Sequence, residues 1–153
     1  MQLSDIITRD VETIRPDTPV KEAAQRMRSA DIGSLPVCDG RRLLGMVTDR
    51  DITIRITAEG RDAANTPVLE AMTPDVTFVF EDQDVQDAAR IMRDQQIRRL
   101  PVISRDRQLV GILSLGDVAV AGDDRTSGDT LQRISEPSHG DAEAKSRSQR
   151  PDA

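Results

Sequence analysis

The sequence holds no tryptophan and no tyrosine, one cysteine, one histidine and two phenylalanines. Each scarcity removes a class of function. Cys38 alone cannot build an intramolecular disulfide framework, and with His139 the only histidine there is no His/Cys cluster to hold a metal. Phe78 and Phe80 stand together in VTFVF and read as core filling for one apolar strand, which leaves no platform for stacking single-stranded bases. A net charge of −6 is the opposite of the broad basic surface that displaces counterions from phosphate backbones, so nucleic acid is not the expected partner. Long apolar runs are missing too: none approaches the ~20 residues of a membrane helix. The start, MQLSDIITRD, has neither a basic leader nor an apolar stretch with a cleavage site, so a cytoplasmic protein away from membranes is expected. No nucleophile with a base and no Walker-type loop brings acid, base and electrophilic stabiliser together, and catalysis is not expected.

What the chain does have is a repeat. Sliding it by 65 places lays DIITRDVETIRPDTPVKEAAQRMRSADIGSLPV over EAMTPDVTFVFEDQDVQDAARIMRDQQIRRLPV, and one extra residue in the next turn brings Gly45 into register with Gly111. Val20, Ala23, Ala24 and Met27 match Val85, Ala88, Ala89 and Met92, spaced i, i+3, i+4, i+7, which predicts one helix per copy with a buried stripe. Thr18-Pro19 supplies a cap and first turn in the first copy; Asp82 or Asp84 offers the cap in the second. After each helix come Leu-Pro-Val (Leu35 to Val37, Leu100 to Val102), a turn (CDGRR, SRDRQ) and LLGMV or LVGIL, the grammar of a hairpin, with Asp39 and Gly40 suited to positive φ. Pro36 and Pro101 cannot donate to a ladder and must face an edge or an opening. Second helices start at about Asp49 and about Leu115.

Each copy therefore reads β-α-β-β-α, an α+β arrangement, preceded by a short helical lead-in (DIIT, PVLEAM) that can belong to the neighbouring unit. The expected boundaries are 1–61, 62–121 and a polar, disordered tail over 122–153. Repeats of roughly 55 residues have marginal cores, so the two are expected to pack about a pseudo-two-fold axis.

Gly-x-x-(Thr/Ser)-x-x-Asp occurs as GMVTDRD, Gly45 to Asp51, and as GILSLGD, Gly111 to Asp117. Together with the helix stripes and Leu-Pro-Val, it makes the chain resemble a tandem pair of CBS domains, over about Asp5 to Ala121, with TDRDI similar to stand-alone bacterial two-repeat proteins. The resemblance implies a disc-like homodimer of pairs with clefts between the repeats for an adenosyl ligand such as AMP, ADP, ATP, NAD or S-adenosylmethionine. It implies no required cofactor. With no output domain in the chain, the signal is expected to pass to a separate effector protein or through the tail.

Two readings of the hydroxyl–aspartate pairs stay open. Thr48-x-x-Asp51 and Ser114-x-x-Asp117 have capping-box spacing, which needs no ligand, although the box favours Glu or Gln over the shorter Asp. In the other reading the carboxylate accepts the vicinal hydroxyls of a ribose, and the hydroxyl contacts ribose or phosphate. The resemblance assigns Asp51 and Asp117 to ribose and makes Arg98-Arg99 an anion clamp where the first copy has Gly33-Ser34. By the pseudo-two-fold relation Arg98 or Arg99 is expected near phosphates beside the Asp51 motif. Pro36, Val37, Pro101 and Val102, with Ile32 and Ile97, are purine-wall or core residues. A ligand-free structural homodimer with vestigial clefts is the competing function.

Overall fold

The computed structural model describes residues 1–121; the polar tail expected from residue 122, with His139, lies outside the described residues. The architecture is α+β. Its helices are α1 (Val20–Ala30), α2 (Asp49–Ile52), α3 (Val85–Gln95) and α4 (Leu115–Ala121). Its strands are β1 (Ser34–Asp39), β2 (Arg42–Thr48), β3 (Thr73–Pro74), β4 (Val79–Phe80), β5 (Arg99–Ile103) and β6 (Leu109–Ser114). They form two three-stranded sheets, ordered β1-β2-β3 and β4-β5-β6. The first-copy strand expected before α1 is reduced to a single parallel bridge, Ile14 to Val37, where the second copy has β4 parallel to β5.

The chain divides into two compact units that do not follow the repeat in simple order. Among the described residues, one contains Glu12–Val76, and the other joins Met1–Val11 to residues 77–121. The lead-ins are thus exchanged between copies. Leu3–Asp5 forms a 3-10 turn whose Leu3 and Ser4 N–H groups donate to Gln83 and Glu81 carbonyls, both at 3.0 Å. Val68–Glu70 does the same in the other unit, its Val68 and Leu69 N–H groups reaching the Thr18 and Pro16 carbonyls at 2.7 and 2.9 Å. Leu3 lies in one core with Met92, Leu100 and Leu113; Val68 and Ala71 lie in the other with Val20, Leu35 and Val47. Burying one such aliphatic side chain is worth about 1.5–3 kcal/mol, a large share for cores this small.

This exchange also explains the helix starts. Pro19, not Thr18, occupies the cap of α1 and has no side-chain acceptor to offer, while the Val20 N–H that a Thr18 cap would bind is taken by the Thr66 carbonyl at 2.8 Å. In α3 Asp84 is the cap, accepting from the Gln86 N–H at 2.8 Å, while Asp82 pairs with Arg105. The buried stripes are Val20, Ala23, Met27 and Val85, Ala88, Ala89, Met92. Ala24 departs from the expected pattern: it is exposed where its counterpart Ala89 is enclosed, so the α1 stripe is one residue narrower.

Both hairpins carry a bulge at the same place, between Val37 and Cys38 and between Val102 and Ile103, opposite Gly45 and Gly111. The first turn takes positive φ at Gly40 (61°) and not at Asp39; the second takes it at Arg107 (67°). Pro36 lies on a sheet-edge strand, and Pro101 lies just off the end of β4, which reaches only Val102 and Ile103. Phe78 and Phe80 are half-buried rather than core. They meet edge to face at 5.6 Å, and guanidinium groups lie over them: Arg105 is 4.1 Å from the Phe80 ring and Arg107 5.7 Å from Phe78. Arg105 also grips Asp82 through two 2.9 Å hydrogen bonds that hold its carboxyl below the usual range. Cys38 is buried, which pushes its thiol up to about 11 and leaves it in the unreactive form.

The glycines opposite the bulges are fixed by the exchanged segments. A Cβ on Gly45 would drive into the Thr73 carbonyl oxygen, and one on Gly111 would lie 2.6 Å from the Thr8 carbonyl oxygen. Thr8 and Thr73 are equivalent positions of the repeat. Gly45→Ala is expected to cost about 2–3 kcal/mol, because backbone must move rather than a side-chain end; urea unfolding with an unchanged midpoint would refute this account.

Candidate functional site

In each unit the strand that ends in the hydroxyl residue runs beside the dipeptide that precedes Leu-Pro-Val. Ser34 is the register partner of Thr48, and the Asp49 N–H donates to the Gly33 carbonyl at 2.9 Å. Arg99 is the register partner of Ser114, and the Leu115 N–H donates to the Arg98 carbonyl at 2.9 Å. The fold therefore gathers the hydroxyl, the aspartate and the unequal dipeptide at one strand-to-helix corner per unit.

At both corners the capping geometry is formed. The Thr48 N–H donates to Asp51 Oδ2 at 3.0 Å while the Asp51 N–H donates to Thr48 Oγ1 at 3.0 Å. In the second unit the Ser114 N–H donates to Asp117 Oδ2 at 2.8 Å and the Asp117 N–H to Ser114 Oγ at 3.1 Å. The aspartate closes the box at both corners although it is shorter than the customary Glu or Gln. Only one carboxylate oxygen is used in doing so.

The second oxygen distinguishes the corners. Asp51 Oδ1 meets Arg55 Nη1 at 3.2 Å, and the Asp51 side chain is 16% exposed. The same nitrogen reaches the Ala71 carbonyl at 2.7 Å and Thr73 Oγ1 at 3.1 Å, so Arg55 ties the corner to the exchanged lead-in. After α2 the backbone widens into a π turn over Thr53–Thr57 that carries this arginine. In the second unit α4 continues as α-helix, and Ala121 stands where Arg55 does in the first copy. Asp117 Oδ1 has no partner among the described residues. Arg55 was absent from the sequence reading, although its position four residues after Asp51 is the ordinary spacing of a helical ion pair.

The remaining sequence-selected residues divide by burial. Val37 and Val102 are wholly enclosed members of the two cores, and Pro36 and Pro101 are also buried. Ile32 and Ile97 pack on those cores from the side. Arg98 has a buried Nε with no hydrogen-bond partner among the described residues. Among those residues no group of three His, Cys, Asp or Glu side chains could hold a metal ion, and no helix is long and apolar enough to cross a membrane.

With two equivalent corners on two exchanged units, the chain's kinship follows: residues 3–57 and 68–123 each match the CBS domain family, and the chain belongs to it. It is 40% identical over 134 residues to the CBS domain-containing protein YhcV of Bacillus subtilis, covering 87% of this chain and 94% of that protein. Hypoxic response protein 1 of Mycobacterium tuberculosis is 40% identical over 116 residues, covering 75% of this chain and 80% of that one. Among solved structures, Hypoxic Response Protein I with two coordinated zinc ions is 36% identical, with a TM-score of 0.72, covering 80% of this chain and all of that one. CBSX2 in complex with AMP is 30% identical, with a TM-score of 0.69, covering 78% and 94%.

The capping account makes its own prediction. Thr48→Ala removes one side-chain acceptor and should lower stability by about 1 kcal/mol, while Thr48→Ser should restore most of it. Equal stability of Thr48→Ala and the parent in thermal unfolding would show that the box contributes nothing.

Proposed function

We propose that the chain is a regulatory, non-enzymatic module that binds an adenosyl compound, with the Asp51 and Asp117 carboxylates accepting ribose hydroxyls. The observation that carries this reading is Oδ1 of Asp117, which has no partner among the described residues: capping consumes Oδ2 and leaves an acceptor beside Ser114. Arg98 and Arg99 are the proposed phosphate clamp, and the buried, unpartnered Nε of Arg98 is a donor in want of an acceptor. Pro36, Val37, Pro101 and Val102 are the proposed apolar backing for the purine. The AMP complex of CBSX2 supports the ligand class. ADP, ATP, NAD and S-adenosylmethionine share the ribose and purine and belong to the same proposal, and no resident cofactor is required. The module acts in the cytoplasm as a homodimer and passes its state to a separate effector. Self-association is supported by apolar side chains exposed at matching positions of the two copies, Ile54 at 47% and Val120 at 89%.

A second reading is favoured by the same hydrogen bonds. If the aspartates serve only to cap α2 and α4, the chain is a structural interaction protein whose clefts take no ligand. Thermal unfolding with a panel of adenosyl compounds separates the two. A ligand at 100 times its Kd raises stability by about 2.7 kcal/mol, and no shift with any compound would favour the capping-only reading.

Under the binding reading Asp117→Ala removes hydrogen bonds to a charged acceptor and should weaken AMP binding roughly ten- to a hundredfold. Arg99→Glu should weaken ATP more than adenosine. Equal losses for both ligands would remove Arg99 from the phosphate clamp.

A further inference from the structure

The geometry points to Arg55 as a built-in competitor for the first carboxylate, one that makes the two corners unequal and leaves Asp117 as the tighter diol acceptor. This inference rests on the binding reading above and adds a determinant that the repeat pattern lacks. Both oxygens of Asp51 are engaged: Oδ2 by the Thr48 N–H at 3.0 Å and Oδ1 by Arg55 at 3.2 Å. A ribose diol needs acceptor capacity there and competes with the guanidinium for it. Asp117 asks for no such exchange, because Ala121 replaces the arginine.

The arginine is placed to yield. Nη1 carries two hydrogens and lies within reach of three acceptors, so its bonds cannot all be well made at once. The Asp51 contact, at 3.2 Å, is the longest of the three; the Ala71 carbonyl at 2.7 Å and Thr73 Oγ1 at 3.1 Å would retain the side chain after displacement. Arg55 thus competes without sealing the corner.

Adenosine is the probe, since it has the diol and no phosphate for a stray cation to attract. Titration calorimetry on the full chain should show Asp117→Ala losing more adenosine affinity than Asp51→Ala. In the Asp117→Ala background, Arg55→Gln should then raise adenosine affinity about fivefold, the size of a partly exposed ion pair. The gain should be absent with 3′-deoxyadenosine, which lacks one hydroxyl of the diol. If Arg55→Gln fails to fold, as its melting curve would reveal, Arg55→Met carries the same comparison, because methionine keeps an unbranched stem and removes the charge. Equal losses from the two aspartate variants, or weaker adenosine binding after Arg55 is replaced, would overturn the inference while leaving the binding reading intact. No adenosine binding by the parent chain or any variant would overturn both.

Discussion

The close approach of Thr8 to Gly111 and of Thr73 to Gly45 is the constraint on which the rest of the molecule depends. Each contact fixes a lead-in from one copy of the repeat onto the sheet of the other copy, where an added methyl group would strike backbone. Leu3 and Val68 then complete two cores that would otherwise be short of an aliphatic side chain. Backbone bonds to the start of each long helix accompany the exchange, with the Met1 carbonyl accepting from Val85 at 3.1 Å and the Thr66 carbonyl from Val20 at 2.8 Å. Covalent order and spatial order therefore differ, and neither copy's sheet is completed by its own sequence alone.

The bulges stand opposite the same crowded glycines. A segment laid across β2 or β6 at a glycine meets a sheet whose partner strand has just shifted register, between Val37 and Cys38 or between Val102 and Ile103. A bulge sharpens local twist and re-aims the strand end. That strand end delivers Thr48 and Ser114 to the start of the following helix. The first letter of the repeated motif is thus structural, and the hydroxyl and the acid complete a cap. One oxygen of each carboxylate is committed to the backbone before any ligand is considered.

Much of this was written in the chain at short range. The helix stripes, the hairpins, the second helix starts and the capping spacing all rest on residues within a few positions of each other, and all four appear in the structure. The misplacements have a common cause in long-range packing. Thr18 looked like a cap until Thr66, brought in by the exchange, supplied its carbonyl to Val20. Ala24 matched Ala89 by spacing, yet periodicity cannot say how wide a face its neighbours cover. Phe78 and Phe80 read as core because they are aromatic and adjacent, whereas Arg105 and Arg107 across the next hairpin cover them. Helix α1 ends at Asp31 and α3 at Gln96, both left-handed without glycine, so neither stop was marked by the usual residue.

Recurrence and function must then be weighed separately. Gly, hydroxyl and Asp recur in both copies because both units need the close approach and the cap, and a ligand is not required to explain them. Chemistry that discriminates between ligands is better sought where the copies have diverged: Arg98-Arg99 against Gly33-Ser34, and Arg55 against Ala121. These residues carry less of the shared structural duty. Arg98 keeps a buried donor unpaired among the described residues, which costs stability wherever no acceptor arrives. Arg55 does the reverse and fills a carboxylate oxygen that its counterpart leaves open. A duplicated frame with unequal charges at its two corners distinguishes one site from the other without altering the fold that holds them both.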